Sequence, residues 1–468
     1  MTSSSPYDYS KGFRDRSLVS LGVPTIGPAI KVAVDRQASS REAGFESLKD
    51  YQGLRVLAAS VRDYNLSHLD EHLERLAETW EAAGGKLFFA SDAEEARDYV
   101  LGVARRLNAR TVVKSKSMVS EEISLNSALE KQGIQPVETD LGQYIVQVAG
   151  EPPSHITAPS IHKSQSEINE LFSELAGEPL PNDATLLTRF ARDRLRKNFL
   201  SAELGISGVN LAVADAGTLC LVTNEGNGRM CTSMPRAHVA IMGMERVVWD
   251  FDQLAVILNL LARSNTGQKL SQYTSLVHGP KRANEADGPE EAHLVILDNG
   301  RSNVLGSRYH EALRCIRCGA CLNVCPVFRQ VGGHVYDPVY SGPIGAIITP
   351  LLKETEQANE LPHTSTLCGA CTDVCPVKIP LHDFLLRLRM DHAHEAPLIE
   401  RGAYKAWSLG WATSRRFAWF RRAVAVMGRV TGGRPVKRLP LPLVGRWTRG
   451  RALPGLPRGR KQREGMKK

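Results

Sequence analysis

Seven of the chain's nine cysteines fall between Cys315 and Pro376, in two runs that any fold must reconcile. The first reads C-I-R-C-G-A-C-L-N-V-C-P from Cys315 to Pro326, and the second C-G-A-C-T-D-V-C-P from Cys368 to Pro376. The first has the C-x2-C-x2-C-x3-C-P spacing of ferredoxin-type cubane sites. Three thiolates two residues apart on a tight loop wrap three corners of one cube. The fourth, held off by three residues and a proline, points to the other cluster. The spacing therefore predicts a crossed arrangement. Cys315, Cys318, Cys321 and Cys375 fall to one cluster, and Cys325, Cys368 and Cys371 to the other.

The second run departs from the pattern, because Ser365 stands where its first cysteine belongs. The second cluster is left with three thiolates. It is then a three-iron 3Fe-4S cluster, a 4Fe-4S cluster with a non-thiolate ligand, or one with an open iron. Ser365, Thr366 and His363 are the nearby candidates, and spacing does not choose among them. Zinc also binds C-x2-C pairs, but it takes four ligands. Seven cysteines in proline-terminated runs suit two cubanes better. Cys220 and Cys231 lie apart and read as unliganded thiols.

With 468 residues the chain has room for two or three domains. Residues 1–15 are polar, and no run of 18 apolar residues occurs, so no transmembrane helix is expected. Together with thiolate-held clusters this predicts a reducing cytoplasm. The net charge is +9, but residues 401–468 carry 19 Lys or Arg against one acid. The tail alone is +18 and the other 400 residues are −9. The basic balance thus belongs to the tail, and the body gives no reason to expect nucleic acid binding.

Residues 1–53 read as an extension with one short helix near Ala43–Tyr51. From Leu54 to about residue 300, helices and strands alternate. Helical spacing covers Ser67–Ala83, Ser91 with Glu94 suggests a capping box, and Ser164 with Glu167 suggests another. Strands are expected at Lys86–Ala90, Thr111–Lys114, Val137–Val148, Ala237–Met242 and His293–Leu297. Asp215-Ala216-Gly217 marks a hairpin between Val209–Ala214 and Thr218–Thr223. Alternation of this kind predicts an α/β domain with a largely parallel sheet. A mainly helical cluster domain follows over 301–400, with a turn at Ser341-Gly342-Pro343, and a basic Trp/Arg-rich tail over 401–468.

Two loops invite an anion. K-S-K-S-M-V-S-E-E-I, Lys114–Ile123, leaves a strand and enters a helix capped by Ser120, where Lys114 and Lys116 could hold a carboxylate or phosphate. N-E-G-N-G-R ends on Arg229, which can clamp a carboxylate. A capped turn and a plain loop explain both equally simply. Neither a G-x-G-x-x-G dinucleotide fingerprint nor a P-loop is present. A chain with clusters but no hydride-acceptor signature is expected to relay electrons rather than catalyse alone.

The segments K-S-K-S-M-V-S-E-E-I, E-T-D-L-G-Q-Y-I, P-S-H-I-T-A-P-S-I-H-K and N-E-G-N-G-R resemble the domain shared by lactate-utilization proteins. From about residue 20 to about 430 the chain resembles the lactate utilization protein B family. That resemblance implies an iron–sulfur subunit carrying electrons during cytoplasmic oxidation of L-lactate to pyruvate, alongside two companion subunits. It implies two 4Fe-4S clusters, the second with three cysteine ligands, on the residues assigned above. It also implies a sugar-phosphate-isomerase-like α/β fold with anion binding at Lys114, Lys116 and the loop to Arg229. Two rival readings follow from the same residues. In one the α/β domain is itself a small-carboxylate oxidoreductase. In the other the Trp- and Arg-rich tail, whose helix aligns Tyr404, Trp407 and Trp411, docks the protein on an anionic membrane to feed a quinone pool. A partly disordered tail beyond Arg429 that docks on an acidic partner competes with the membrane reading.

Overall fold

The computed structural model describes residues 7–353, 355–395 and 398–430. The chain divides into two units, one ending at Arg389 and the other beginning at Met390. In the first, six strands form a wholly parallel sheet: β1 (Lys86–Ala90), β2 (Thr111–Lys114), β3 (Gln135–Glu138), β4 (Leu204–Gly208), β7 (Ala237–Gly243) and β10 (Glu291–Leu297). Their order across the sheet is β1-β10-β7-β4-β2-β3. A smaller sheet holds β5 (Leu211–Val213), β6 (Thr218–Thr223), β8 (Val247–Val248) and β9 (Tyr273–Val277), in the order β8-β5-β6-β9. β5 and β6 form the hairpin around Gly217.

The parallel sheet is buried on both faces, as its Val/Ile/Leu-rich strands require. Along β7, Val239 and Ile241 pack into one apolar cluster with Val112, Ile206 and Val295. Ala240 and Met242 point the other way, toward Trp80, Leu294 and Ile296. The period of two thus divides one strand between two cores. Ser164 and Glu167 form the full capping box expected of them.

Several expected elements sit differently. The described residues 7–53 hold two helices, Phe13–Gly22 and Ile26–Glu46, and the start of a third at Tyr51, not one short helix near Ala43–Tyr51. Ile26, Ile30 and Val34 recur every four residues and are buried, the helical signal that a polar average conceals. The strand expected over Val137–Val148 ends at Glu138. Asp140 then accepts from the backbone N–H of Gln143 and starts a helix over Leu141–Val148. Caps also move: Asp92 replaces Ser91 and Ser117 replaces Ser120, each accepting from backbone N–H groups two or three residues on. The Ser341-Gly342-Pro343 turn is the N-terminus of the buried helix Gly342–Leu352, with proline in its tolerated first turn.

Among the described residues no single helix is long and apolar enough to cross a membrane. The bent pair Phe13–Gly22 and Ile26–Glu46 passes by length and composition together. Ile26, Ile30 and Val34 nevertheless pack with Phe328, Val331 and the cysteine segment in one core. The second unit contains helices Leu398–Trp411 and Ser414–Val430. Trp407 and Trp411 share a face, their rings 5.6 Å apart, and Trp411 meets Phe417 at 4.8 Å. Residues 431–468, where a disordered tail was expected, lie outside the described residues.

Candidate iron–sulfur centre and adjoining cavity

The two cysteine runs fold as copies of one motif, fifty residues apart. Arg317 and Leu367 both adopt left-handed backbone, at φ 58° and 54°. Gly319 and Gly369 follow at φ 83° in each case and open short helices, Ala320–Val324 and Ala370–Val374. A positive φ at those glycines costs no Cβ strain, so the chain turns sharply enough to offer cysteines on both sides of it. The two short helices pack on each other.

Cys315, Cys318 and Cys321 of the first run and Cys375 of the second line one small cavity, closed by Ile156, Ile344, Val377 and Ile379 among others. Backbone N–H groups of Arg317 and Ile379 point at the sulfurs of Cys315 and Cys375, each at 3.4 Å. Cys325 and Cys371 are buried, whereas Cys368 is exposed. Burial pushes the Cys371 thiol up to about 12 and Cys375 up to about 11, and raises Cys318 and Cys321 as well. A thiolate in such a site needs a compensating cation, which a metal cluster supplies. The seven cysteines therefore suit iron as a donor set. Cys220 and Cys231 are buried thiols that burial pushes up to about 12.

Ser365 fills the place of the missing cysteine. Its Oγ accepts from the Leu367 N–H at 3.0 Å, and its carbonyl accepts from Arg389 at 2.6 Å. His363 and Thr366 are exposed beside it.

Arginines fasten the cysteine segment to the α/β layers. Arg62, fully buried in the helix Tyr51–Ser67, donates to the carbonyls of Glu245, Val247, Leu313 and Arg314. Arg55, two turns earlier, donates to the carbonyls of Asp373 and Cys375. Arg301 bridges Glu122 and Glu245, each at 2.8 Å, and Tyr340 donates its hydroxyl to Glu122. The paired arginines hold the Glu245 carboxyl down at about 2 against the burial that would raise it. His155 meets Asn323 at 3.1 Å, and Asn323 reaches Asn265. The P-S-H-I-T-A segment is thereby tied to the first cysteine helix.

A cavity of about 610 Å³ opens at the carboxyl ends of β2, β3, β4 and β7, where open α/β sheets bind ligands. Ile156, Ile316, Arg317 and Cys318 line both this cavity and the cysteine cavity. The three residues expected at an anion site are not brought together. Lys114 is fully buried and spends its charge on Glu138 at 2.6 Å. Lys116 lines the cavity and donates to the Thr157 carbonyl at 2.9 Å. Arg229 is exposed on the helix Asn227–Ser233 and does not line it. Glu225 of the N-E-G-N-G-R loop lines it, as do Arg246 and Arg317, which no sequence motif marked as anion-binding. For Arg317 the signal was available, since it sits inside the C-I-R-C run.

Residues 73–297 match the LUD domain, and residues 311–379 match the 4Fe-4S dicluster domain. Fold and cysteine set together define an iron–sulfur protein of mixed build, a parallel α/β domain continued by a helical ferredoxin-type domain. The chain is 48% identical over 362 residues to lactate utilization protein B of Shouchella clausii, covering 77% of this chain and 76% of that one. It is 47% identical over 403 residues to lactate utilization protein B of Bacillus cytotoxicus, covering 86% and 85%. With the protein of that name in Bacillus thuringiensis it shares 45% over 448 residues, covering 95% and 94%. This chain belongs to the lactate utilization protein B family.

Proposed function

We propose that the chain is the electron-carrying iron–sulfur subunit of a cytoplasmic system that oxidises L-lactate to pyruvate, working beside companion lactate-utilization subunits. The observation that carries the reading is the convergence of Cys315, Cys318, Cys321 and Cys375, from both runs, on one cavity. The name of the relatives supports lactate as the source of electrons. Cys315, Cys318, Cys321 and Cys375 hold one 4Fe-4S cluster, and Cys325, Cys368 and Cys371 hold the second. Bound, the clusters supply one-electron acceptors and donors.

The chain's own residues set the conditions. Ile344, Val377 and Ile379 keep water from the first site, and N–H dipoles from Arg317 and Ile379 favour charge on two of its sulfurs. Buried Arg62, Arg246, Arg301 and Arg317 outnumber the buried carboxylates of Glu122 and Glu245 near the first run. That excess of positive charge favours a thiolate-held, electron-accepting centre. The exposed Cys368 puts the second site at the surface, where a partner subunit can approach. The basic tail helices, with Trp407 and Trp419 exposed among arginines, suit a peripheral contact with anionic lipid.

Electron paramagnetic resonance on the anaerobic protein given L-lactate, alone and with its companion subunits, tests the reading. Cluster reduction only with the companions is expected. Reduction by lactate without them would move the chemistry into this chain and end the relay reading.

A further inference from the structure

The cavity at the strand ends is better equipped than a packing defect needs. Three of its lining residues carry a buried polar atom with no hydrogen-bond partner: Gln37 Oε1, Asn227 Oδ1 and Arg317 Nη1. Arg317 is the most telling of them. Its side chain is 10% exposed and lies over the Tyr340 ring, 4.3 Å from the centroid. Its nearest carboxylate, Glu245, stands 3.8 Å away and is already shared with Arg301 at 2.8 Å and Arg246 at 3.3 Å. A buried guanidinium with an open N–H is costly unless something accepts from it.

We propose that this cavity binds a small organic monocarboxylate bearing a hydroxyl or keto oxygen, with Arg317 as the anchor for its carboxylate. The unmet atoms define the ligand. An open guanidinium N–H calls for an anionic acceptor, and the amide oxygens of Gln37 and Asn227 call for a hydroxyl donor. Ile145, Ile156, Leu261 and Val209 supply an aliphatic wall for the carbon skeleton. Charge limits the choice further. Lys116, Arg246 and Arg317 face Asp140, Glu225 and Glu245 across the same space, which accepts one negative charge more readily than the two of a phosphate. Burial, together with Asp140, pushes the Glu225 carboxyl up to about 7, so it is partly neutral beside the ligand and can donate to a keto oxygen.

Location gives the site its meaning. Arg317 is the residue between Ile316 and Cys318, and all three line this cavity, so an acid held by Arg317 rests against the first cysteine run. The proposal rests on the electron-carrying reading and adds to it a small-molecule site within this subunit.

Anaerobic calorimetry on the full-length, cluster-loaded chain with L-lactate, pyruvate and inorganic phosphate tests it. One of the two organic acids is expected to bind one-to-one, and more tightly than phosphate. Arg317→Gln is expected to weaken that binding at least tenfold, and Arg229→Gln, outside the cavity, to leave it unchanged. Because Arg317 sits between cysteines, a second variant guards the result. Ala158→Trp fills the cavity from a segment outside both runs and is expected to abolish binding while iron content stays at the wild-type level. Tighter binding of phosphate, no binding of either acid to fully loaded protein, or unchanged binding in Ala158→Trp each overturns the proposal. Only those results bear on the site alone. A chain that takes up no iron in anaerobic preparation removes the electron-carrying reading, and this one with it.

Discussion

Ser365 stands to Leu367 as Cys315 stands to Arg317. In each pair the side chain two residues upstream accepts from the backbone N–H of a residue in left-handed conformation, Oγ at 3.0 Å in one case and Sγ at 3.4 Å in the other. The backbone of a four-cysteine run is thus intact around Ser365, and only the ligand atom differs. Ser365→Cys should therefore give the second cluster a fourth thiolate without rebuilding the loop. The expected outcome is eight irons per chain that survive brief air exposure, and loss of any three-iron signal from the oxidised protein's resonance spectrum. An iron count and spectrum identical to the wild type would show that the position is out of reach of the cluster.

The crossed cavity makes a prediction that linear reading of the runs would reverse. Cys375→Ser removes a cysteine of the second run, yet it should abolish the cluster of the first, because Cys375 lines the cavity with Cys315, Cys318 and Cys321. Cys325→Ser should do the opposite. Mössbauer or resonance spectra of the two variants, compared with wild type, distinguish which cluster each one loses.

Arg301 is 1% exposed and bridges two carboxylates that are equally hidden, Glu122 and Glu245. Arg301→Ala leaves both without their main counter-charge. A loss of about 3–5 kcal/mol of folding stability is expected, the usual result of breaking a buried pair from one side. Urea unfolding of the anaerobic protein followed by circular dichroism measures it, and a loss below about 1 kcal/mol would mean that Arg246 and Arg317 can take over its role.

Glu225 gives stability an unusual slope with pH. Burial and the nearby Asp140 raise its carboxyl from an ordinary 4.5 to about 7. The folded protein then holds a proton that the unfolded chain gives up. The stability this contributes is complete below about pH 4.5 and is lost as the pH rises toward 7, roughly 3 kcal/mol in all. Glu225→Gln keeps the neutral state at every pH. Its stability should exceed that of the wild type at pH 7 and approach it at pH 5, as urea midpoints at the two values would record.

The tail helices carry Arg415, Arg416, Arg421 and Arg422 beside exposed Trp419 and Phe420. Flotation with vesicles rich in anionic lipid should carry the full chain and leave behind a chain ending at Arg389. Equal flotation of the two would remove the lipid contact.

What could be read from sequence followed how local each signal is. The capping box at Ser164 depends on residues within a few positions, and the structure forms it as the spacing implies; the cysteine spacing is equally local, and Cys375 lines one cavity with Cys315, Cys318 and Cys321. β7 and β10 were legible because strands buried on both faces are continuously apolar. β4 was not, since Gly205 and Gly208 interrupt its apolar run. Gly205 is nevertheless required, because a Cβ there would lie 1.9 Å from the Cys231 carbonyl oxygen. The surroundings of the expected anion residues depend on contacts from farther along the chain. Lys114 looked free beside a helix start, but Glu138, one strand over, neutralises it. Arg317 looked like filler within a metal motif, and only the packing of that motif against the strand ends makes it part of a cavity wall.

The crossed sharing of cysteines also sets a timetable for biosynthesis. The first run leaves the ribosome about fifty residues ahead of Cys375, but it cannot complete its cavity until that residue has emerged and the helix Ala370–Val374 has docked on Ala320–Val324. At ordinary elongation rates of roughly 5–20 residues per second, the early thiols wait several seconds, reactive and incomplete. Iron delivered in that interval meets three sulfurs rather than four. Maturation of the first centre is thus a late event, tied to the closing of the chain on itself, and a message truncated anywhere before Cys375 yields a product that cannot finish it.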